Sequence, residues 1–125
     1  MILDTLGKNA KEKGYDFSRI AAYALLSLVL ANVIFTRKKH NDGWWKKVAG
    51  LVKLGIKDAS AIVRRNAHGC LVQIEAANSS YAETVISKLK KTEMKTFKEM
   101  KGIIDVIDPN VNTFHCIKFR DLLFV

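Results

Sequence analysis

The densest run of chemistry-bearing side chains is KLKKTEMKTFKEMK, residues 88–101. Lys88, Lys90, Lys91, Lys95, Lys98 and Lys101 are set there against only Glu93 and Glu99. Ammonium groups at that density suit phosphate contacts made by counterion release, without sequence readout. The only aromatic in the run, Phe97, shares helical spacing with Leu89, Met94 and Met100 and is assigned to the core. Stacking platforms for single strands are therefore missing from it. A second basic cluster runs from Arg37 to His40. The ordinary alternative for both is a solvated, charged helix face.

Other chemistries find no pattern. His68 and Cys70 stand two apart on an expected helix and face different ways, and His115 and Cys116 are adjacent. Neither spacing converges on a metal, and no CxxC or HExxH occurs, so no metal site is expected. There is no G-x-S-x-G, no Walker loop and no G-x-G-x-x-G, so neither an enzyme nor a cofactor is expected. Asp105 and Asp108 lie near an expected helix end, where capping accounts for them.

The elements that must position these residues are helical. The chain of 125 residues is 49% hydrophobic with one proline, enough for a packed core in a single unit. Its formal charge of +9 favours acidic partners. Two scattered cysteines and an N-terminus whose apolar start precedes its lysines predict an intracellular protein, cytoplasmic rather than nuclear. Expected helices cover 16–35, 44–57, 61–77, 80–91, 93–107 and 109–125 of one domain, 1–125. Asp58 and Ser60 supply turn and N-cap chemistry before the third, and Ser80 with Glu83 forms a capping-box pattern at the fourth. Asp108-Pro109 starts the last helix. Of the adjacent Trp44 and Trp45, helical geometry turns one inward and leaves the other near the surface.

The run Ile20 to Phe35 is apolar over 16 residues, short of the about 20 that a spanning helix needs. A helix buried in a stack is the expectation, with membrane association as the alternative. Displaced by 46 residues, this helix aligns with the central one: Arg19 with Arg65, Ala21 with Ala67, Leu25 with Leu71, Leu28 with Ile74, Ala31 with Ala77 and Asn32 with Asn78. Spacings in the forties mark helical repeats.

Around these residues, from about Asp16 to Ile86, the chain resembles an armadillo repeat. A charged turn leads through V-R-R-N-A (Val63 to Ala67) into a small-residue helix ending L-x-x-I (Leu71 to Ile74). Residues 109–125 look like a degenerate third copy. The resemblance implies an all-α fold, a short right-handed superhelical stack of armadillo-like repeats. With about two full units, it implies a piece of a longer array or an apolar end covered by a second copy, making a homodimer through the C-terminal helix.

In that superfamily the closing helix of each repeat lines a groove for an extended peptide. The groove's asparagine slot falls here on Ser27, Gln73 and Asp121, and its tryptophan slot on Tyr23, Gly69 and Ile117. One turn earlier lie Arg19, Arg65 and Thr113. No slot holds the import receptors' asparagine or tryptophan. The resemblance therefore implies a non-enzymatic interaction module in which Arg19, Tyr23, Ser27, Arg65 and Gln73 grip an acidic or backbone-presenting segment of a protein. Nucleic-acid binding through residues 88–101 is the rival expectation.

Overall fold

A computed structural model describes residues 2–107, all of whose regular structure is helical: α1 (Ile2–Ala10), α2 (Asp16–Thr36), α3 (Asp42–Ile56), α4 (Ala61–Ala77), α5 (Ser79–Ile86) and α6 (Lys91–Ile107). The helix expected over 109–125, and with it the third copy and the C-terminal dimer contact, lies outside the described residues.

Local chemistry accounts for most boundaries. Ser60 caps α4, its hydroxyl accepting from the Val63 N–H at 3.4 Å, and Asp58 accepts from the Ser60 N–H at 2.8 Å. Asn41 caps α3 by accepting from the Trp44 N–H at 2.9 Å, so that helix starts at Asp42, ahead of the expected residue 44. The capping box at Ser80 does not form. Helix α5 begins at Ser79, and the Ser80 hydroxyl donates instead to the Asn78 side chain at 2.8 Å. Helix α5 ends at Ile86, short of the expected residue 91.

The helices pack in two rows. In one row α1 touches α3 and α3 touches α5; in the other α2 touches α4 and α4 touches α6. Short turns pair α1 with α2 and α3 with α4 across the rows. Within a row the helices run parallel. The Gln73 amide donates to the Ser27 carbonyl at 3.0 Å and the Cys70 thiol to the Tyr23 carbonyl at 3.4 Å, separations of 46 and 47 residues. The register of the internal alignment is thus the register in which α2 and α4 lie side by side.

The centre of the molecule is α4, flanked by α2, α3, α5 and α6, with every residue from Asn66 to Ile74 buried. Around it lie Leu3 and Leu6 of α1, Leu26 and Leu30 of α2, Val48, Val52 and Ile56 of α3, and Phe97 and Met100 of α6. Burying a large aliphatic side chain contributes about 1.5–3 kcal/mol, so this cluster dominates the stability. Trp45 is buried and stacks on Tyr81 with ring centroids 6.0 Å apart; Trp44 is half-buried and stacks on His40 at 3.8 Å.

Candidate functional site

Three of the five expected groove residues lie inside the protein. Tyr23, Ser27 and Gln73 are buried in the contacts of α2 with α3 and α4. The Tyr23 hydroxyl donates to the Leu51 carbonyl at 2.5 Å, and the Gln73 amide is taken by Ser27 as described. Burial pushes the Tyr23 phenol well above its ordinary value, with the Cys70 and Asp58 charges adding to the effect. These three are corrected from groove to core. The physical reason is that α2 lays this side against α3 and α4, and α4 has neighbours around its middle, so the polar slots of both helices face other helices.

Arg19 is a structural clasp. Its Nε donates to Asp58 Oδ2 at 2.8 Å and its Nη2 to Asp58 Oδ1 at 3.3 Å, while Nη1 reaches the Glu12 carbonyl at 2.7 Å. With both partners largely covered, the fork ties the entry of α2 to the turn before α4. Arg65 is exposed, its Nε 3.4 Å from Met100 Sδ on α6.

The lysines behave as solvated groups with one organised row. Lys88, Lys90, Lys91, Lys95, Lys98 and Lys101 are exposed. Lys101 pairs with Glu75 at 2.6 Å, and Glu93 accepts from the Lys90 N–H at 2.9 Å with Lys57 at 3.5 Å. The Lys90 N–H first, and then Lys57, hold the Glu93 carboxyl below the usual range. Lys91, Lys95 and Lys98 follow one another at spacings of four and three residues. They line a shallow groove of about 920 Å³ together with Leu89, Thr92, Met94 and Glu99. Phe97 is in the core, so that groove has no aromatic platform.

The other basic cluster sits in a more structured place. A cleft of about 710 Å³ opens where the C-terminal ends of the parallel α2 and α4 meet the start of α3. Its walls are Val33, Ile34 and Phe35 on one side and Trp45, Ala76, Ala77 and Asn78 on the other, with Arg37, Lys38, Lys39 and His40 at the mouth. Among the described residues no carboxylate pairs with Arg37, Lys38 or Lys39. Arg37 closes α2 in the left-handed conformation, φ 54°, where glycine or asparagine is favoured and other residues cost roughly 1–2 kcal/mol. Desolvation, and then Lys38, hold the His40 imidazole below its ordinary pKa, so three cations and a neutral ring face the cleft.

The cluster and its neighbours Val33, Ile34, Phe35 and Trp45 are close together in the sequence; the rest of the wall, Ala76, Ala77 and Asn78, comes from the far end of α4. The only available signal was the 46-residue register, which sets the end of α4 beside the end of α2. The helix that carries the apolar run is longer than the run itself: α2 has 21 residues, and its most apolar 18-residue window has a mean hydropathy of 1.8, long and apolar enough by composition to cross a membrane. One side of it packs on α1 and α4. Among the described residues no group of histidine, cysteine and carboxylate side chains is gathered for a metal. Compared with known proteins, the chain matches no family model, no curated protein and no solved structure.

Proposed function

We propose that the chain is a non-enzymatic protein-interaction module that holds an acidic segment of a partner protein, in an intracellular setting. On this reading the two helix rows are a short armadillo-like superhelical stack, and the binding surface is the cleft at Arg37–His40. The observation that supports it is that three cations, which no carboxylate among the described residues pairs, stand beside an apolar wall. Carboxylates of a partner reach Arg37, Lys38 and Lys39, and an apolar side chain beside them packs on Phe35, which is 69% exposed. The residue strain at Arg37 is the kind retained where a side chain must be aimed.

A titration with an acidic peptide containing one leucine, read by the fluorescence of Trp45 and Trp44, tests this. Binding should weaken with salt, and Arg37→Glu with Lys38→Glu should weaken it by roughly tenfold or more, about 1.4 kcal/mol per tenfold. Unchanged affinity in the double variant would sink the reading. The row Lys91, Lys95 and Lys98 favours a second one, nonspecific nucleic-acid binding through α6. That predicts duplex binding lost in Lys95→Glu and indifferent to Arg37→Glu.

A further inference from the structure

The outward side of α2 carries an uncharged stripe. Phe17, Ala21, Leu25, Leu28, Asn32 and Phe35 follow one another at spacings of four, four, three, four and three. Phe17 is 76% exposed, Leu25 42% and Phe35 69%, while Ala21 and Asn32 are exposed and Leu28 half-buried. The last five positions keep the three-four alternation of a coiled-coil seam. Helix α2 ends its row, so among the described helices none lies on this side.

Two observations say what such a stripe is built to meet. At the 46-residue register it aligns with Val63, Ala67, Leu71 and Ile74 of α4, and all four are completely buried. The same pattern, one repeat on, is a helix-packing face. Secondly, the stripe is near-symmetric about the point between Leu26 and Ser27. A second α2 laid antiparallel across it sets Leu25 against Leu28 of the other copy, Ala21 against Asn32, and Phe17 beside Phe35 at each end.

We propose that the chain self-associates through this face, as an antiparallel pair of α2 helices related by a two-fold axis. Direction follows from charge. A parallel pair would bring both copies of Arg37, Lys38 and Lys39 together. The antiparallel pair holds them roughly 32 Å or more apart, at 1.5 Å per residue, beyond about three Debye lengths at physiological salt. It also lays each basic end against the other copy's α2 entry, where Lys11 and Lys13 are offset by Glu12 and Asp16. The helix dipoles oppose favourably in the same arrangement. A strip about 27 Å long and one helix wide is smaller than the ~800 Å² per partner of a standard interface, so the dimer is weak and concentration-dependent.

The test uses the full chain with Cys116→Ser, Cys70 being buried. Leu25→Cys and Leu28→Cys are prepared singly and oxidised alone and mixed. Mixed samples should form the disulfide at least about tenfold faster than either alone, because only the Leu25 and Leu28 positions face each other. Sedimentation should show a reversible dimer that Ala21→Glu abolishes, with the thermal melt of that surface variant unchanged at low concentration. Three results would overturn the proposal. One is a monomer at all concentrations up to about 1 mM. Another is self-crosslinking of single variants as fast as the mixture, the mark of a parallel or nonspecific contact. The third is a monomer that floats with mixed phosphatidylcholine–phosphatidylserine vesicles, which would assign the stripe to a lipid surface.

Discussion

Replacing Gly55 by alanine tests how tightly α2, α3 and α4 meet. A Cβ at this position would lie 2.5 Å from Tyr23 Cζ, 2.8 Å from Tyr23 Cε1 and 2.6 Å from Ala67 Cβ. Non-bonded carbons prefer about 3.5–4.0 Å, so the helices must part by roughly 1 Å. Neither neighbour can step aside: the Ala67 Cβ is fixed to the α4 backbone, and the Tyr23 ring is anchored by its bond to the Leu51 carbonyl. Overpacking of this kind costs typically 1–3 kcal/mol. Helix propensity works the other way, by up to about 1 kcal/mol, and less here because Gly55 is one residue from the end of α3. The expected net loss is about 2 kcal/mol, a fall in Tm of roughly 10 °C for a domain of this size. Gly50→Ala is the control, since nothing lies within 4 Å of its added methyl and only propensity changes. That variant should gain up to about 1 kcal/mol. Urea unfolding followed by far-UV circular dichroism reads both. Adding Ala67→Gly to Gly55→Ala should recover part of the loss while being destabilising alone, a coupling confined to touching residues. If Gly55→Ala proves as stable as Gly50→Ala, the three-helix contact described above is wrong.

Two further perturbations address buried polar groups. His68 is buried on α4, and desolvation lowers its pKa below 6.5, with Glu93 raising and Arg64 lowering it by smaller amounts. The unfolded chain therefore binds a proton that the folded one refuses, and stability should fall as pH drops below about 6.5, by at most about 1.4 kcal/mol per pH unit. Urea midpoints between pH 7.5 and pH 5.5 check this, and a flat profile would falsify it. Tyr23 gives the opposite limb: its phenol is raised above 10.0 in the folded state, so stability should be lost as pH rises above about 10. Tyr23→Phe removes the bond to Leu51 at a cost of about 1 kcal/mol near neutrality. It should also make the alkaline decline shallower than in the wild type, with the burial-raised Cys70 thiol and the Tyr81 phenol, raised by its bond to Asp42, still contributing.

Much of the helical framework was legible locally. The Ser60 cap, the division of Trp44 and Trp45 into one inward and one more exposed ring, and Phe97 in the core follow from short-range geometry that a residue carries wherever it sits; which tryptophan turns in does not. The 46-residue register was legible too, because side-by-side helices of similar shape need similar side chains at matching positions. The partition of polar residues was not. Gln73 and Ser27 look like surface positions on a periodic helix, and a pattern along one chain segment knows nothing of how many neighbours that segment will have. With α2, α3, α5 and α6 around it, α4 buries the Gln73 amide, and the Ser27 position of α2 is buried where that helix packs on α4. The same arithmetic leaves α2, last in its row, with an apolar side uncovered. Among the described residues it also leaves Ser27 Oγ, Asn66 Nδ2, His68 Nδ1 and Gln73 Oε1 without a partner in the interior, an arrangement for which the packing offers no physical reason.

The sequence by itself determined α2, α4 and α6 as helices, the Ser60 cap and the 46-residue register of α2 on α4, because those depend on φ/ψ preference, side-chain period and hydrogen bonds within a few residues. Only the tertiary structure decided which helix becomes the centre and which the edge. It alone set Arg37, Lys38 and Lys39 against walls from α3 and α4, and it turned Arg19 into a clasp on Asp58. Those outcomes depend on how many faces of each helix are covered, a property of the assembly of helices that no single stretch of chain encodes.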